Sequence, residues 1–537
     1  MNIIMKLRIT ITTVVISVVA LLFAGCDTGF DAMNENPNAS TEAPIENVMP
    51  RAQKTSVDRL YSMSGLNGYV GAIWVQHYAK IQYVDEDKYD FSGRISLVNS
   101  IWQGFYSRSL EDLNQIIRIN AESGVPNDNI EAMARILKAW NFHVLTDVWG
   151  DVPYTEALQG MAEEQIFLPK FDTQESIYLA LLTELENAAN LIDVDGTAIG
   201  GSDLIYGSDM GKWQKFANSL RLRIAMRLSE VAPNVAEKEI SDIVTSGVPI
   251  FEDNTDIAAL KYQSYPYNNP VNEFSRTRVD HKISRTSLNW LNDLNDPRLR
   301  IYAAPVENED SVAVSAGGAI EYMGHIYQGV RNGDKDNSLP LGEASTMGPY
   351  FVAPSSPGVI MTYSEVEFIL AEAAARGWIT SDAETHYNAA IRASMEMYSQ
   401  DNLDAVLSGF PGDLAFSHQN YDAAEFPAGI TDAEITGYLN QAEVQFNNAG
   451  TLEDQLEQIA LQKWLALYGQ GLEAWFEWRR FDYPVLTPGP EAVLDDVPVR
   501  LAYPVQEKSL NEANVNEAIS RLSGTDNMLT PVWWDVD

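Results

Sequence analysis

Residues 363–398 read YSEVEFILAEAAARGWITSDAETHYNAAIRASMEMY, and this stretch decides the fold. Apolar and small residues return at three- and four-residue steps on both sides of Gly377, so two helices are predicted, over Ser364–Arg376 and Asp382–Tyr398. Leu370 and Ala371 fall in the first, and Ala383, Tyr387 and Ala390 in the second. Alanines at those places let two antiparallel helices approach closely, while one tyrosine fills the gap between them. The spacing is that of a tetratricopeptide-like helix pair, a unit that buries its apolar face only when neighbours stack on it.

Outward from this pair the helical period recurs. Ile130–Trp149 carries Ala132, Ile136, Ala139, Trp140, His143 and Val144 on one stripe, and Thr173–Ile192, Lys212–Val231 and Leu452–Phe481 do likewise. Gly150 follows the first of these and is expected to cap it. No uniform repeat runs through the chain. The expected fold is therefore mostly α: irregular tetratricopeptide-like helix pairs as a scaffold, carrying long loop-rich excursions over 250–280, 303–363 and 399–435. Connections that long usually serve a function or carry structure of their own.

The N-terminus has its own signature. Lys6 and Arg8 precede an uncharged run from Ile9 to Ala24, too short for a comfortable membrane span and suited to the core of a signal peptide. Leu22-Phe23-Ala24-Gly25-Cys26 then places small residues before the only cysteine of the chain. That arrangement is expected to make Cys26 a lipidation site, with residues 1–25 as lipoprotein signal peptide, 26–50 as lipidated tether and 51–537 as a single domain. The expected product is a soluble protein tethered by lipid. With Cys26 used, neither a disulfide nor a thiol nucleophile is available.

The chain has 537 residues, 36 Lys+Arg against 75 Asp+Glu, and a formal charge of −39. Such acidity argues against nucleic acid, whose phosphates are bound by Lys and Arg with release of counterions. The six histidines (77, 143, 281, 325, 386, 418) are dispersed, with no zinc-ligand spacing. Neither a nucleophile elbow nor a phosphate loop is found, so no catalytic residue is expected and the protein is read as non-enzymatic. No cofactor is expected. A structural calcium finds one weak imitation of a binding loop, in Asn332, Asp334, Asp336, Ser338 and Glu343, where Asn337 replaces the usual glycine and Pro340 opposes a flanking helix.

Aromatics carry the stronger signal. Trp74, His77, Tyr78, Tyr83 and Tyr89 crowd one stretch, Tyr262, Tyr265, Tyr267 and Asn268 another, and Tyr322, His325 and Tyr327 a third. Sugars present flat C–H faces that stack on rings and hydroxyls that want amides beside them. Trp74, His77, Tyr78, Tyr83, Tyr265, Tyr267, Asn268 and Tyr322 are accordingly the candidate glycan-binding residues. Two other readings stand beside this one: Trp74 and Tyr78, four apart, would also make a helix stripe facing the core, and the Tyr265/Tyr267 loop would also pack on the scaffold. Arg276, Arg278, Lys282 and Arg285 form the nearest basic cluster. Glu473, Glu477 and Arg480 at helical spacing read as a solvated, charge-laced face.

Several blocks, in order, resemble the SusD/RagB family of outer-membrane nutrient-binding lipoproteins: NENPNASTEAPIENVMPRAQ after the cysteine, TDVWGDVPYTEAL (146–158), DPRLRIY from Asp296, IMTYSEVEFILAEAAARGW (360–378), QKWLALYGQGLEAWFEWRRFDYPVL (462–486) and RLAYPVQEKSLNEANVNEAI (500–519). The resemblance covers nearly the whole chain beyond Cys26. It implies a fold of tetratricopeptide-like helix pairs with a loop-rich second half. It also implies a surface lipoprotein that captures oligo- or polysaccharide and delivers it to a SusC-like TonB-dependent transporter. The acidity points to a neutral glycan such as a glucan. The alternative is a peptide- or protein-binding partner of a RagA-like transporter. The family lends no catalytic residues.

Overall fold

The computed structural model describes residues 43–161, 164–263, 266–315, 318–408, 415–416, 419–420 and 427–536. Cys26, the signal segment and most of the expected tether lie outside the described residues, as does Tyr265.

Eleven helices of ten residues or more are present among the described residues: α1 Ile45–Tyr61, α2 Ile95–Gly104, α3 Glu111–Glu122, α4 Asp128–Trp149, α5 Gln174–Leu191, α6 Met210–Arg227, α7 Pro233–Ser246, α8 Tyr363–Ala375, α9 Ala383–Glu396, α10 Leu452–Ala466 and α11 Gly471–Phe481. Their starts follow from short polar side chains. Asn127, Thr173, Asp209, Thr362, Asp382 and Thr451 each accept a hydrogen bond from the first turn of the helix that follows, satisfying an amide that has no intrahelical partner. Successive helices pack against one another from α3 through α7, and again as α8–α9 and α10–α11. In the founding pair, Ala371 and Ala390 are fully buried, Ser364 donates to the Ala390 carbonyl at 2.7 Å, and the Tyr387 hydroxyl reaches the Val444 carbonyl at 2.9 Å.

Two expectations shift. The segment expected as tether ends early, because α1 already begins at Ile45 and buries Val48, Met49 and Pro50. The single helix expected over 452–481 is two, since Gly469 sits at φ +86°, where a side chain is strained, and the chain restarts at Gly471. Gly471 has a second duty: a Cβ there would come within 2.4 Å of the Ala72 backbone, and one on Gly71 within 2.5 Å of the Leu472 backbone. The two glycines let the short helix Ala72–Trp74 press directly against the start of α11. Gly150 does end α4, at φ +88°, with its amide donating to Thr146 at 2.7 Å.

The centre of the scaffold is charged. Arg223 forks onto Glu365 through two 2.6 Å hydrogen bonds, and Arg480 does the same to Glu372. Arg227 joins Glu473 and Glu477, Lys463 holds Glu477 at 2.7 Å, and Arg480 adds a 3.0 Å bond to Glu477. All eight side chains are buried. The charges on α11 are thus the opposite of a solvated face; four cations and four carboxylates from α6, α8, α10 and α11 neutralise one another inside the core, which is the condition for burying charge at all. Beside them Asp147 accepts from the Trp534 indole at 2.9 Å and from the Tyr178 hydroxyl. The block around 146–151 is therefore packing, not surface.

Strands are few and short, and they organise the excursions. β1 Tyr78–Lys80 pairs antiparallel with β3 His281–Ile283, β2 Ala258–Leu260 with β6 Gly358–Met361, and β4 Ala319–Tyr322 with β5 His325–Gln328. The β4–β5 hairpin turns on Met323 and Gly324, both at positive φ (53° and 84°), the geometry a two-residue turn needs to match strand twist.

Candidate functional site

The β1–β3 pair sets Tyr78 opposite Ile283 and Lys80 opposite His281. Past β1 the chain is held by an Ile81 amide bond to the Asp280 carbonyl at 2.9 Å, and then turns outward at Tyr83, whose φ of +55° breaks the strand alternation. A knot of buried polar groups underlies this turn. Asn332 donates to the Tyr78 carbonyl and to Asp87, each at 2.8 Å, and its own oxygen accepts from Ser284 at 2.5 Å. Lys80 pairs with Glu86 at 2.8 Å and lies over the Tyr69 ring at 4.6 Å. Burial pushes the Asp87 carboxyl up to about 7 against the amide hydrogen bonds that hold it down.

On this base Tyr83 stands 60% exposed. The Arg278 guanidinium lies 4.7 Å from its ring centroid and is itself fixed by a forked pair to Asp280 at 3.0 and 3.2 Å. The same guanidinium lies 5.6 Å from the ring centroid of the half-buried Phe274. Amides accompany Tyr83 in the chain and across the turn: Gln82, next to it, donates to the Asn337 side chain at 2.9 Å, and the Asn337 amide donates to the Ile81 carbonyl at 2.8 Å. A planar ring with one face braced by a cation, bordered by amides and a guanidinium, is the surface a pyranose can stack on while its hydroxyls find donors and acceptors.

The other candidates are distributed differently. Trp74, His77 and Tyr78 are core residues, at most 2% exposed. Trp74 meets Trp475 edge-on at 5.0 Å, the His77 Nε2 bonds the Trp464 carbonyl at 3.0 Å, and Tyr78 meets Tyr468 at 5.2 Å. Burial withdraws these three from any polysaccharide; Trp74 and Tyr78 do face the core, but not as a helix stripe, since Trp74 ends the helix Ala72–Trp74 and Tyr78 opens β1. Tyr267 and Asn268 are half-buried in the turn that leads into the helix Pro270–Ser275, with Asn269 as its cap. Tyr322 is half-buried too, its ring against Tyr327 at 6.2 Å, next to an exposed His325 that pairs with Glu309 at 3.0 Å.

The basic cluster is not a patch. Lys282 is buried and its amine is lowered to about 8 by desolvation, and Arg278 is neutralised by Asp280. In the imitation of a calcium loop the Asn332 oxygen accepts from Ser284 at 2.5 Å, and among the described residues no three His, Cys, Asp or Glu side chains are grouped to hold a metal ion. Arg278, Gln82, Asn337 and Phe274 were missed as platform residues. The signal that could have found them is the DxK strand at 280–282, which by pairing with β1 brings the 274–280 turn beside Tyr83.

Among the described residues no helix is long and apolar enough to cross a membrane. Similarity places the chain more firmly. The family SusD-like_2, described as starch-binding and associating with the outer membrane, matches residues 37–504. A solved chitin-binding protein is 29% identical, with 92% of this chain and 100% of that chain aligned and a TM-score of 0.74. A SusD-like protein of Bacteroidetes AC2a is 24% identical over 92% of this chain and 100% of its own, also at a TM-score of 0.74. A chitin-binding SusD homologue from Flavobacterium johnsoniae is 24% identical over 92% and 99%, at a TM-score of 0.71. No curated protein matches the chain significantly. With the family matched over most of its length and the helix-pair scaffold shared with SusD homologues, this chain belongs to the SusD-like family.

Proposed function

We propose that the protein is a non-catalytic, surface-exposed lipoprotein, anchored through Cys26, that binds a neutral polysaccharide and passes it to a SusC-like TonB-dependent transporter. The observation that carries the glycan part is Tyr83, exposed and braced by Arg278 among amides. The family description supports outer-membrane association and glycan binding. The 29%-identical relative binds chitin, so chitin stands beside glucans as the polymer class to test. A net charge of −39 sets a general bias against polyanionic polymers.

Native-gel retardation through chitin oligomer-derived and glucan-containing gels tests this reading, with Tyr83→Ala and Tyr83→Phe run beside the parent. Stacking on one ring contributes roughly 1–3 kcal/mol by analogy with base stacking, so Tyr83→Ala is expected to weaken retention by about tenfold or more, and Tyr83→Phe to retain it. Unchanged retention in a folded Tyr83→Ala protein removes this platform. Binding of peptides in place of any polysaccharide would transfer the protein to the peptide-carrying alternative.

A further inference from the structure

A separate cleft of about 360 Å³ opens where three of the long excursions meet, walled by residues from 254–261, 350–359 and 402–406 and by Tyr206 of the segment before α6. Its size falls at the small end of ligand sites, enough for one or two sugar rings. Tyr350, Val359, Met397 and Val406 give it an apolar side. Two amides sit in its wall already anchored: Asn254 donates to the Ala393 carbonyl at 2.9 Å and Asn402 to the Glu396 carbonyl at 3.0 Å.

Its charge is the unusual part. In a chain of 75 Asp+Glu against 36 Lys+Arg, no carboxylate lines this cleft among the described residues, while Lys212 and Lys261 both do. Lys212 spends one hydrogen bond on the Thr255 carbonyl at 2.7 Å, and neither lysine makes a salt bridge among the described residues, the nearest acid felt by Lys212 being the exposed Asp253. Of the neighbouring acids, Glu252 and Asp256 close on Lys215 at 2.5 and 2.8 Å, and Asp253 accepts from the Thr255 amide at 2.7 Å. Two ammonium groups outside any salt bridge among the described residues, beside an apolar wall and fixed amides, describe a receptor for a ring that carries both a carboxylate and hydroxyls.

We propose that this cleft binds a small sugar acid, of the hexuronic class, at a site distinct from Tyr83. The carboxylate sits between Lys212 and Lys261, the C–H face of the ring lies on the Tyr350–Met397 side, and the hydroxyls meet Asn254 and Asn402. The inference does not depend on the Tyr83 platform.

The test is calorimetric titration of the purified protein at low salt with sodium D-glucuronate, and with D-glucose as the uncharged probe. Charge-assisted hydrogen bonds account for most of the expected preference, so glucuronate should bind about tenfold or more tightly than glucose, and Lys212→Gln/Lys261→Gln should remove that margin. Ala405→Trp, which places a bulky ring in the cleft from an exposed helix position, should block glucuronate while leaving polysaccharide retention by Tyr83 unchanged. Equal binding of the two sugars, absence of saturable glucuronate binding, or undiminished binding in both the double-lysine and Ala405→Trp proteins would each overturn the proposal.

Discussion

At the scale of single residues, exposure and chemistry part company within ten positions of one another. Trp74 and Tyr83 are both aromatic and both belong to the same crowded stretch, yet one is sealed against Trp475 and the other projects into solvent. Substitution separates them. Trp74→Ala should lower stability by about 3–5 kcal/mol, the usual result of emptying a buried indole site, as read by denaturant titration. Tyr83→Ala should leave the unfolding midpoint nearly unchanged and act on glycan retention instead. A Trp74→Ala protein that unfolds at the parental midpoint would contradict the burial described here. The aromatic content of this stretch was legible in the sequence; which rings face outward was not. Gln76, Tyr83 and Tyr89 all adopt positive φ, at 57°, 55° and 62°, so neither a helical nor a strand period can be counted through them.

At the scale of elements, α11 is the instructive case. Its Glu473, Glu477, Arg479 and Arg480 have the spacing of a water-facing helix, and spacing alone cannot tell a charge paired with solvent from one paired with another helix. The partners decide it: Arg223 and Arg227 from α6, Glu365 and Glu372 from α8 and Lys463 from α10, separated from α11 by up to hundreds of residues in sequence. The two readings differ in magnitude. A surface i,i+3 pair contributes about 0.2–0.5 kcal/mol, whereas removing one member of a buried network strands its partners and costs about 3–5 kcal/mol. Glu477→Ala is therefore expected to lower the unfolding free energy by the larger amount, and a loss under about 1 kcal/mol would restore the solvated reading. The boundary between α10 and α11 was hidden for a related reason: both helices turn apolar faces to the same core, so the period runs on across Gly469. Conversely α4, α5, α8 and α9 were legible almost to the residue, because each has a polar cap at its start and a dense apolar stripe.

For the whole molecule, acid is the condition to examine. His77 and His281 are buried in neutral form, lowered by desolvation to about 3 and about 4, and desolvation lowers His143 as well. An unfolded imidazole takes its proton near pH 6.5, so the folded state binds fewer protons below that value, and stability falls as pH drops from about 6.5 toward 4. His281 alone accounts for on the order of 3 kcal/mol once that window is crossed. Below about 4.5 a second loss begins, as Glu372, Glu473 and Glu477, all held below the usual carboxylate range by buried Arg and Lys despite desolvation, must be protonated. The Asp87 carboxyl, raised to about 7, takes its proton earlier in the folded state and opposes this loss, so the histidine contribution is read as a difference: His281→Gln should gain stability relative to the parent as pH falls from 7 to 5, and a difference that stays constant over that range would refute the assignment. One contact then bears on how the chain comes to be folded. Gly71 and Gly471 touch backbone to backbone, and the carbonyl and indole groups of residues 72–77 are closed by Trp464 and Trp475. A polypeptide emerging from its N-terminus therefore cannot close the contacts of residues 71–77 until α10 and the first half of α11 have been synthesised, so this part of the core is completed only after most of the chain has been made.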